Sequence, residues 1–175
     1  MAIGGLSGTG KSALSGRLAP LIGRSPGAAW LRSDIERKRL LGVAETDRLP
    51  REAYNKASGR EVYAELRRKA RLALKAGHSV LLDAVHANHE ERDGAERLSA
   101  ELGVPFSGLW LEAPIATRLA RVARRTNDAS DADGAVARAQ TADGPSEAGW
   151  RSLDASADIA AVTQAAYESL GSSQR

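Results

Sequence analysis

Eight residues near the start of the chain, Gly5-Leu6-Ser7-Gly8-Thr9-Gly10-Lys11-Ser12, limit its possible folds more than any other segment. They spell G-x-x-x-x-G-K-S and follow the apolar pair Ala2 and Ile3. Leu14, Leu18 and Leu21 then recur at helical spacing. A short strand therefore delivers the chain into a phosphate-binding loop that opens a helix. The glycines let backbone N–H groups turn inward around an anion, where a Cβ would obstruct them. The helix N-terminus adds partial positive charge at the same point. Lys11 is expected to reach the β- and γ-phosphates and the Ser12 hydroxyl to ligate Mg²⁺. An ordinary glycine-rich βα turn has no reason to match all of this pattern in this context. The binding set read here is Gly5, Ser7, Gly8, Thr9, Gly10, Lys11 and Ser12, with ATP and Mg²⁺ as cofactors.

The remaining chain alternates strands and helices, the pattern of a parallel sheet covered on both faces. The expected fold is α/β, three-layered, with a mostly parallel five-stranded sheet, helices on both faces and an Arg-rich lid. Strands are expected at residues 1–4, 28–32, 79–83, 106–112 and, more weakly, 152–155. Ser33 to Glu36 reads as a capping box, and Val62, Leu66, Ala70 and Ala73 as one face of a longer helix. Asn88 with Glu91 reads as another cap, and Ile115, Leu119 and Val122 as an inward face after Pro114. Ser130 with Asp133 caps a further helix running to about Thr141. Ile159, Val162, Ala166 and Leu170 carry the last helix. Pro20 should end or kink the helix after the P-loop. With 175 residues and no repeat or linker, one domain over 1–175 is expected, with its lid over about 118–140.

Hydrophobic residues are 42% and charged residues 27%, as in ordinary globular chains. No apolar run approaches a membrane span and no signal pattern opens the chain, which fits a cytoplasmic location. Cys is absent, excluding disulfides and thiolate metal sites. The net charge of +3 suits polyanions, nucleotides included. Nucleic acid is less favoured as a partner, because aromatic residues are only 4% and assemble no stacking platform. A small molecule is the expected substrate.

Five groups carry the chemistry. Asp83 ends the apolar run Val80-Leu81-Leu82 in the Walker B manner and would hold the Mg²⁺ shell; otherwise it is a turn residue. Asp34 follows the second strand, at the sheet edge where ligands gather, and is placed to accept the proton of a substrate hydroxyl. It also suits a helix N-terminus, and both roles can hold together. Arg118, Arg121, Arg124 and Arg125 precede a polar loop. They read as a lid neutralising the γ-phosphoryl group, or as a solvated face paired with Glu112 and Asp128. Tyr54, Lys56 and Arg60 sit where an acceptor pocket would be covered. His86 and Arg92, beyond the Walker B strand, are candidates for substrate contact rather than metal ligation, since no third His or Cys lies near.

These pieces resemble a known family, the AAA-type P-loop small-molecule kinases often fused to aminoglycoside-phosphotransferase-like domains. The resemblance rests on Gly4 to Ser12, Leu31-Arg32-Ser33-Asp34 with Arg37-Lys38, Leu82-Asp83-Ala84, Gly103-Val104-Pro105-Phe106, Leu111-Glu112-Ala113-Pro114, and Arg121 through Asp128-Ala129-Ser130-Asp131-Ala132 to Gln140. The layout is more distantly similar to polynucleotide 5′-hydroxyl kinases and zeta-toxin kinases. The resemblance implies phosphoryl transfer to a hydroxyl, with Asp34 as base, Arg37 nearby for substrate, and lid roles for Arg121 and Arg125. Two departures stand out. His86 occupies a position commonly aromatic in the family, and the first strand is clipped, as in an excised domain or a shortened start.

Overall fold

The computed structural model describes residues 1–124, 128–142, 144–146 and 148–171. Strand β1 (Ala2–Gly5) leads through the P-loop into helix α1 (Lys11–Leu18), then β2 (Ala29–Arg32) and α2 (Ser33–Leu40). A long α3 (Lys56–Lys75), β3 (Val80–Asp83), α4 (His89–Leu102) and β4 (Gly108–Glu112) follow. The chain closes with α5 (Ile115–Ala123), α6 (Gly134–Ala139), β5 (Trp150–Asp154) and α7 (Ile159–Gly171). The five strands lie in the order β2-β3-β1-β4-β5, and every neighbouring pair is parallel.

Strand alternation sorts the apolar residues into two layers. Ala2, Leu82 and Trp110 face one side, packed against Val62, Leu66 and Ala70 of α3 and Ala95 and Leu98 of α4. Ile3, Leu81, Leu109 and Leu111 face the other, against Leu14 and Leu18 of α1 and Val162 and Ala166 of α7. Burial on both faces explains why these strands read as continuous apolar runs. Helix, sheet and helix form the expected three layers.

Local punctuation mostly acts as its chemistry dictates. Pro20 lies in a single turn of 3₁₀ helix that follows α1. The Asn88 side chain accepts from the Glu91 amide at the start of α4, and Gly103 ends that helix in a left-handed conformation. Three expectations need correction. The capping box at Ser33 does not form, because Glu36 is buried between α2 and α3, where Arg39 and Lys69 bind it. Asp133, not Ser130, caps α6 by accepting from the Val136 amide at 2.8 Å. On α5 the inward face is Arg118 and Val122, while Ile115 is exposed, because the buried guanidinium has main-chain acceptors below it.

The sheet is tightest at its β1–β4–β5 side, where the Trp110 and Trp150 rings fill the space that Gly4 and Gly108 leave open. A Cβ at Gly108 would overlap the Trp150 indole. Gly108→Ala should therefore cost about 1–3 kcal/mol of stability. Chemical denaturation checks this; an unchanged midpoint would show that the indole shifts freely.

Candidate functional site

Parallel registry decides which residues meet. Ile3 pairs with Asp83 and Asp83 with Arg32, so the carboxyl ends of β1, β3 and β2 finish side by side. The P-loop, Asp83 and the start of α2 thus share one edge, beside the central strand where the connections diverge, the position at which open α/β sheets bind ligands. A cleft of about 1640 Å³ opens there.

The loop is built as a cradle. Gly8 (φ 85°) and Gly10 (φ 97°) hold left-handed backbone, and a Cβ on Gly8 would overlap the Arg118 carbonyl oxygen. The Thr9 hydroxyl donates to the Leu6 carbonyl at 2.8 Å, and Lys11 Nζ reaches the same carbonyl at 3.1 Å, folding the ammonium over the loop. Ser7 through Ser12 line the cleft, whereas Gly5, expected in the binding set, packs behind it against the Leu111 carbonyl and is not part of the lining. Two contacts brace the loop from the lid side. Arg118, buried, donates from Nε to the Ser7 carbonyl at 2.9 Å and from Nη2 to the Ala137 carbonyl at 2.8 Å. Gln140 Oε1 accepts the Ser7 amide at 2.8 Å.

Asp83 is 3% exposed, and burial pushes its carboxyl above the usual range. Lys11, a hydrogen bond from Ser12 and Arg32 oppose that rise, while Asp34 adds to it. Trp30 Nε1 donates to Asp83 Oδ2 at 3.2 Å. The adjoining Ser12 hydroxyl and Asp83 carboxylate, two hard oxygen donors, fit Mg²⁺, which is commonly held by one or two protein oxygens plus substrate phosphates. Among the described residues no group of three or more His, Cys, Asp and Glu could hold a metal by itself.

Asp34, Arg37, Tyr54, Lys56 and Arg60 line the other half of the cleft. Arg37 Nη1 donates to the Ala53 carbonyl and the Ser58 hydroxyl, and the guanidinium lies over the Tyr54 ring at 4.8 Å. Tyr54 donates its hydroxyl to Asp131 at 2.6 Å; burial, then that carboxylate, push the phenol well above its usual pKa.

His86 and Arg92 are not cleft residues, contrary to the sequence expectation. The Tyr63 hydroxyl accepts the His86 amide at 2.8 Å and helps hold the backbone at φ 52°, turning the imidazole inward between Tyr63 and Trp150. It is 1% exposed, and burial lowers its pKa to about 3. Arg92, also buried, bonds the His86 and Ala87 carbonyls beneath that turn and lies over Trp110. Both residues support the wall of the cleft from behind.

The arginines expected to form a lid are placed as follows. Arg121 lines the cleft, yet its guanidinium donates to the carbonyls of Thr9, Ala155 and Ala157 at 3.3, 2.7 and 2.9 Å, tying the P-loop to the β5–α7 connection. Arg124 also lines the cleft, whereas Arg125 lies outside the described residues. The acids after α5 hold this segment down. Asp128 binds Arg32 at 2.9 Å. Asp131 accepts from the fully buried Lys38 at 3.2 Å, the Leu49 amide at 3.0 Å and Tyr54. Burial would raise Asp131, but these hydrogen bonds outweigh it and hold the carboxyl below its usual range.

Sequence reasoning missed Trp30, Lys38, Arg67, Glu91 and Gln140 as contributors. Lys38 gave a misleading signal, because lysine is almost never buried without a partner and its partner is 93 residues away. Gln140 ended the lid string but carried no chemistry of its own until the fold set it beside Ser7.

The parallel sheet, the braced P-loop and the acid-ended β3 define a P-loop kinase fold. Residues 1–144 match the AAA domain family, and the chain belongs to it. Uncharacterized proteins of Mycobacterium tuberculosis and Mycobacterium bovis are 35% identical over 144 residues, which is 80% of this chain; the match spans 28% of their length. Among solved structures, an APS kinase of Mycobacterium tuberculosis in complex with AMPPNP and APS superposes with a TM-score of 0.70, at 20% identity over 97% of this chain and 96% of that one. A gluconokinase from Sinorhizobium meliloti gives 0.68, at 16% identity over 97% and 90%. A sugar kinase from Janibacter sp. gives 0.68, at 17% identity over 97% and 92%. No described helix is long and apolar enough to cross a membrane.

Two outcomes follow from the buried charges. Asp131→Ala strands the Lys38 ammonium in the interior and should cost about 3 kcal/mol, read as a lower urea midpoint. Replacing both partners, as in Lys38→Met with Asp131→Leu, should recover much of that loss. For His86, the native pKa of about 3 lies below the ordinary 6.5. Between those values the unfolded chain takes up a proton that the native chain refuses, so stability present above pH 6.5 is lost as pH falls. His86→Phe should lose about 2 kcal/mol less than the wild type between pH 7.5 and 5.0, measured by denaturation at both values.

Proposed function

We propose that this chain is an ATP- and Mg²⁺-dependent kinase that transfers the γ-phosphoryl group to a hydroxyl of a small molecule. The observation that carries the reading is the single cleft that holds the P-loop at one end and Asp34, Arg37 and Tyr54 at the other, with Asp83 between them. Such a cleft sets a nucleotide's terminal phosphate against an acceptor.

In this reading the P-loop amides and Lys11 grip the triphosphate, and Ser12 and Asp83 hold the magnesium ion. When bound, Mg²⁺ would neutralise charge on the phosphate oxygens. Asp34 orients the acceptor hydroxyl and takes its proton as the oxygen bonds to the γ-phosphorus. The bond from the γ-phosphorus to the bridging oxygen breaks, and ADP leaves with that electron pair. Most of the rate enhancement then comes from positioning and fixed positive charge. Arg121 contributes by fixing the P-loop's outer turn, and Arg124 is the described lid arginine with access to the cleft.

The covering segment favours a small acceptor over a polymer. Tyr54 and the Leu49 amide bind Asp131 across the cleft mouth, so a strand of nucleic acid would have to displace those bonds. The chain is read as one kinase module. The activity of the longer mycobacterial relatives is a separate question.

Lys11→Ala should abolish turnover. Asp34→Asn should fold, retain ATP affinity by calorimetry, and lose about 10²–10⁴-fold in kcat, the scale of a general base. Transfer at the wild-type rate in Asp34→Asn would remove that residue from the base role.

A further inference from the structure

Two buried polar atoms in the acceptor half of the cleft have no hydrogen-bond partner: Arg37 Nε, a donor, and Glu91 Oε2, an acceptor. Both belong to residues that line the cleft. They flank the same group, since the Glu91 carboxylate and the Arg37 guanidinium both act on the Tyr63 hydroxyl. Buried polar groups are nearly always satisfied, so an unpaired donor and an unpaired acceptor on two residues of the cleft wall point to a ligand that completes them.

The surrounding charge narrows that ligand. Lys56, Arg60 and Arg67 line the cleft with Arg37, as do the acids Asp34, Glu90 and Glu91. The lid acids do not offset these cations, because Asp128 binds Arg32, Asp131 binds Lys38 and Asp133 lies 3.9 Å from Arg51. Asp34 is committed to the acceptor hydroxyl in the reading above. A neutral alcohol could accept from the Arg37 N–H but would leave the basic wall without a counter-charge. A planar guanidinium on a pocket wall is suited to a carboxylate or a phosphate. The Glu91 oxygen requires a donor, which a further hydroxyl supplies.

We propose that the acceptor is a polyhydroxylated anion, its carboxylate or phosphate held by Arg37 with Arg60 and Arg67, and a second hydroxyl donated to Glu91. This deepens the kinase reading and rests on it. Carboxylate and phosphate share the recognition chemistry, and the test separates them.

The test pairs acceptors that differ only in the anionic group or its absence: gluconate with sorbitol, glycerate with glycerol, and ribose 5-phosphate with ribose. ADP release is measured and product mass confirmed. The expected result is phosphorylation of at least one anionic member, with kcat/KM roughly 10- to 100-fold above its neutral partner, the worth of one charged hydrogen bond. Arg37→Met should erase that preference. Arg37→Lys, which keeps the charge without the fork, should restore part of it. AMPPNP titration verifies that each variant is folded. Neutral partners phosphorylated as well as or better than the anions would overturn this inference and leave the kinase reading standing. No phosphorylated product from any acceptor, in protein that binds AMPPNP, would overturn the kinase reading and this inference with it.

Discussion

A single buried guanidinium joins the parts of this molecule that must act together. Arg118 reaches the Ser7 carbonyl inside the P-loop and the Ala137 carbonyl on α6, and it does so from a position under the loop where water cannot compete. Burial disfavours the charge, and these main-chain dipoles offset that cost. The consequence is geometric. A loop whose glycines allow many conformations is held in one before any phosphate arrives. Gly8 could not accept a side chain without pushing against Arg118, so the permissive residue and the rigid one specify each other.

The same economy appears on the covering segment. Lids of this kind are often pictured as arginines poised over a triphosphate, yet here the described arginines of α5 are largely spent on carbonyls. The acids that follow hold the cover down. Asp128, Asp131 and Asp133 meet Arg32, Lys38 and Arg51 respectively. Only the Asp131 contact is well withdrawn from solvent, with Lys38 fully buried, so it should be the strongest of these ties while the exposed Asp133 pair adds little. Tyr54 and the Leu49 amide add their bonds to the same carboxylate.

How much of this could be read in the sequence depended on range. The P-loop, the acid at Asp83 and the strand-helix alternation are local patterns, and each lies where its spacing said. Strand ends moved by one or two residues, and the Asn88 cap formed as written. The failures share a cause. His86 looked like a cleft residue because it follows the Walker B strand closely, but the Tyr63 hydroxyl, 23 positions away, takes its amide and the ring turns inward. Glu36 left its capping box for Lys69, and Arg118 left an apparent basic face for the P-loop backbone. Local propensity assigned each of these residues a role that a distant partner then reassigned. Arg37 was named from the sequence and does line the cleft, but its unpaired Nε is a property of packing and has no trace in the letters.

Substrate choice in such a fold has to come from elements outside the sheet. The carboxyl ends of β1 and β3 carry groups that any phosphoryl donor requires, so their chemistry says nothing about the acceptor. What varies freely is the wall formed by α2, α3 and the start of α4, since those helices need only keep Val62, Leu66, Ala70, Ala95 and Leu98 on the sheet. Their opposite faces carry Arg37, Arg60, Arg67 and Glu91, none of which the core demands. A guanidinium placed there, partly desolvated and incompletely paired, weakens the isolated fold slightly. Arg37 also ties α2 to Ala53, Ser58 and the Tyr54 ring, and in the proposed reading a bound anion would satisfy the Nε that these contacts leave unpaired. In the proposed reading, the side chains that the core does not demand are the ones that meet the acceptor.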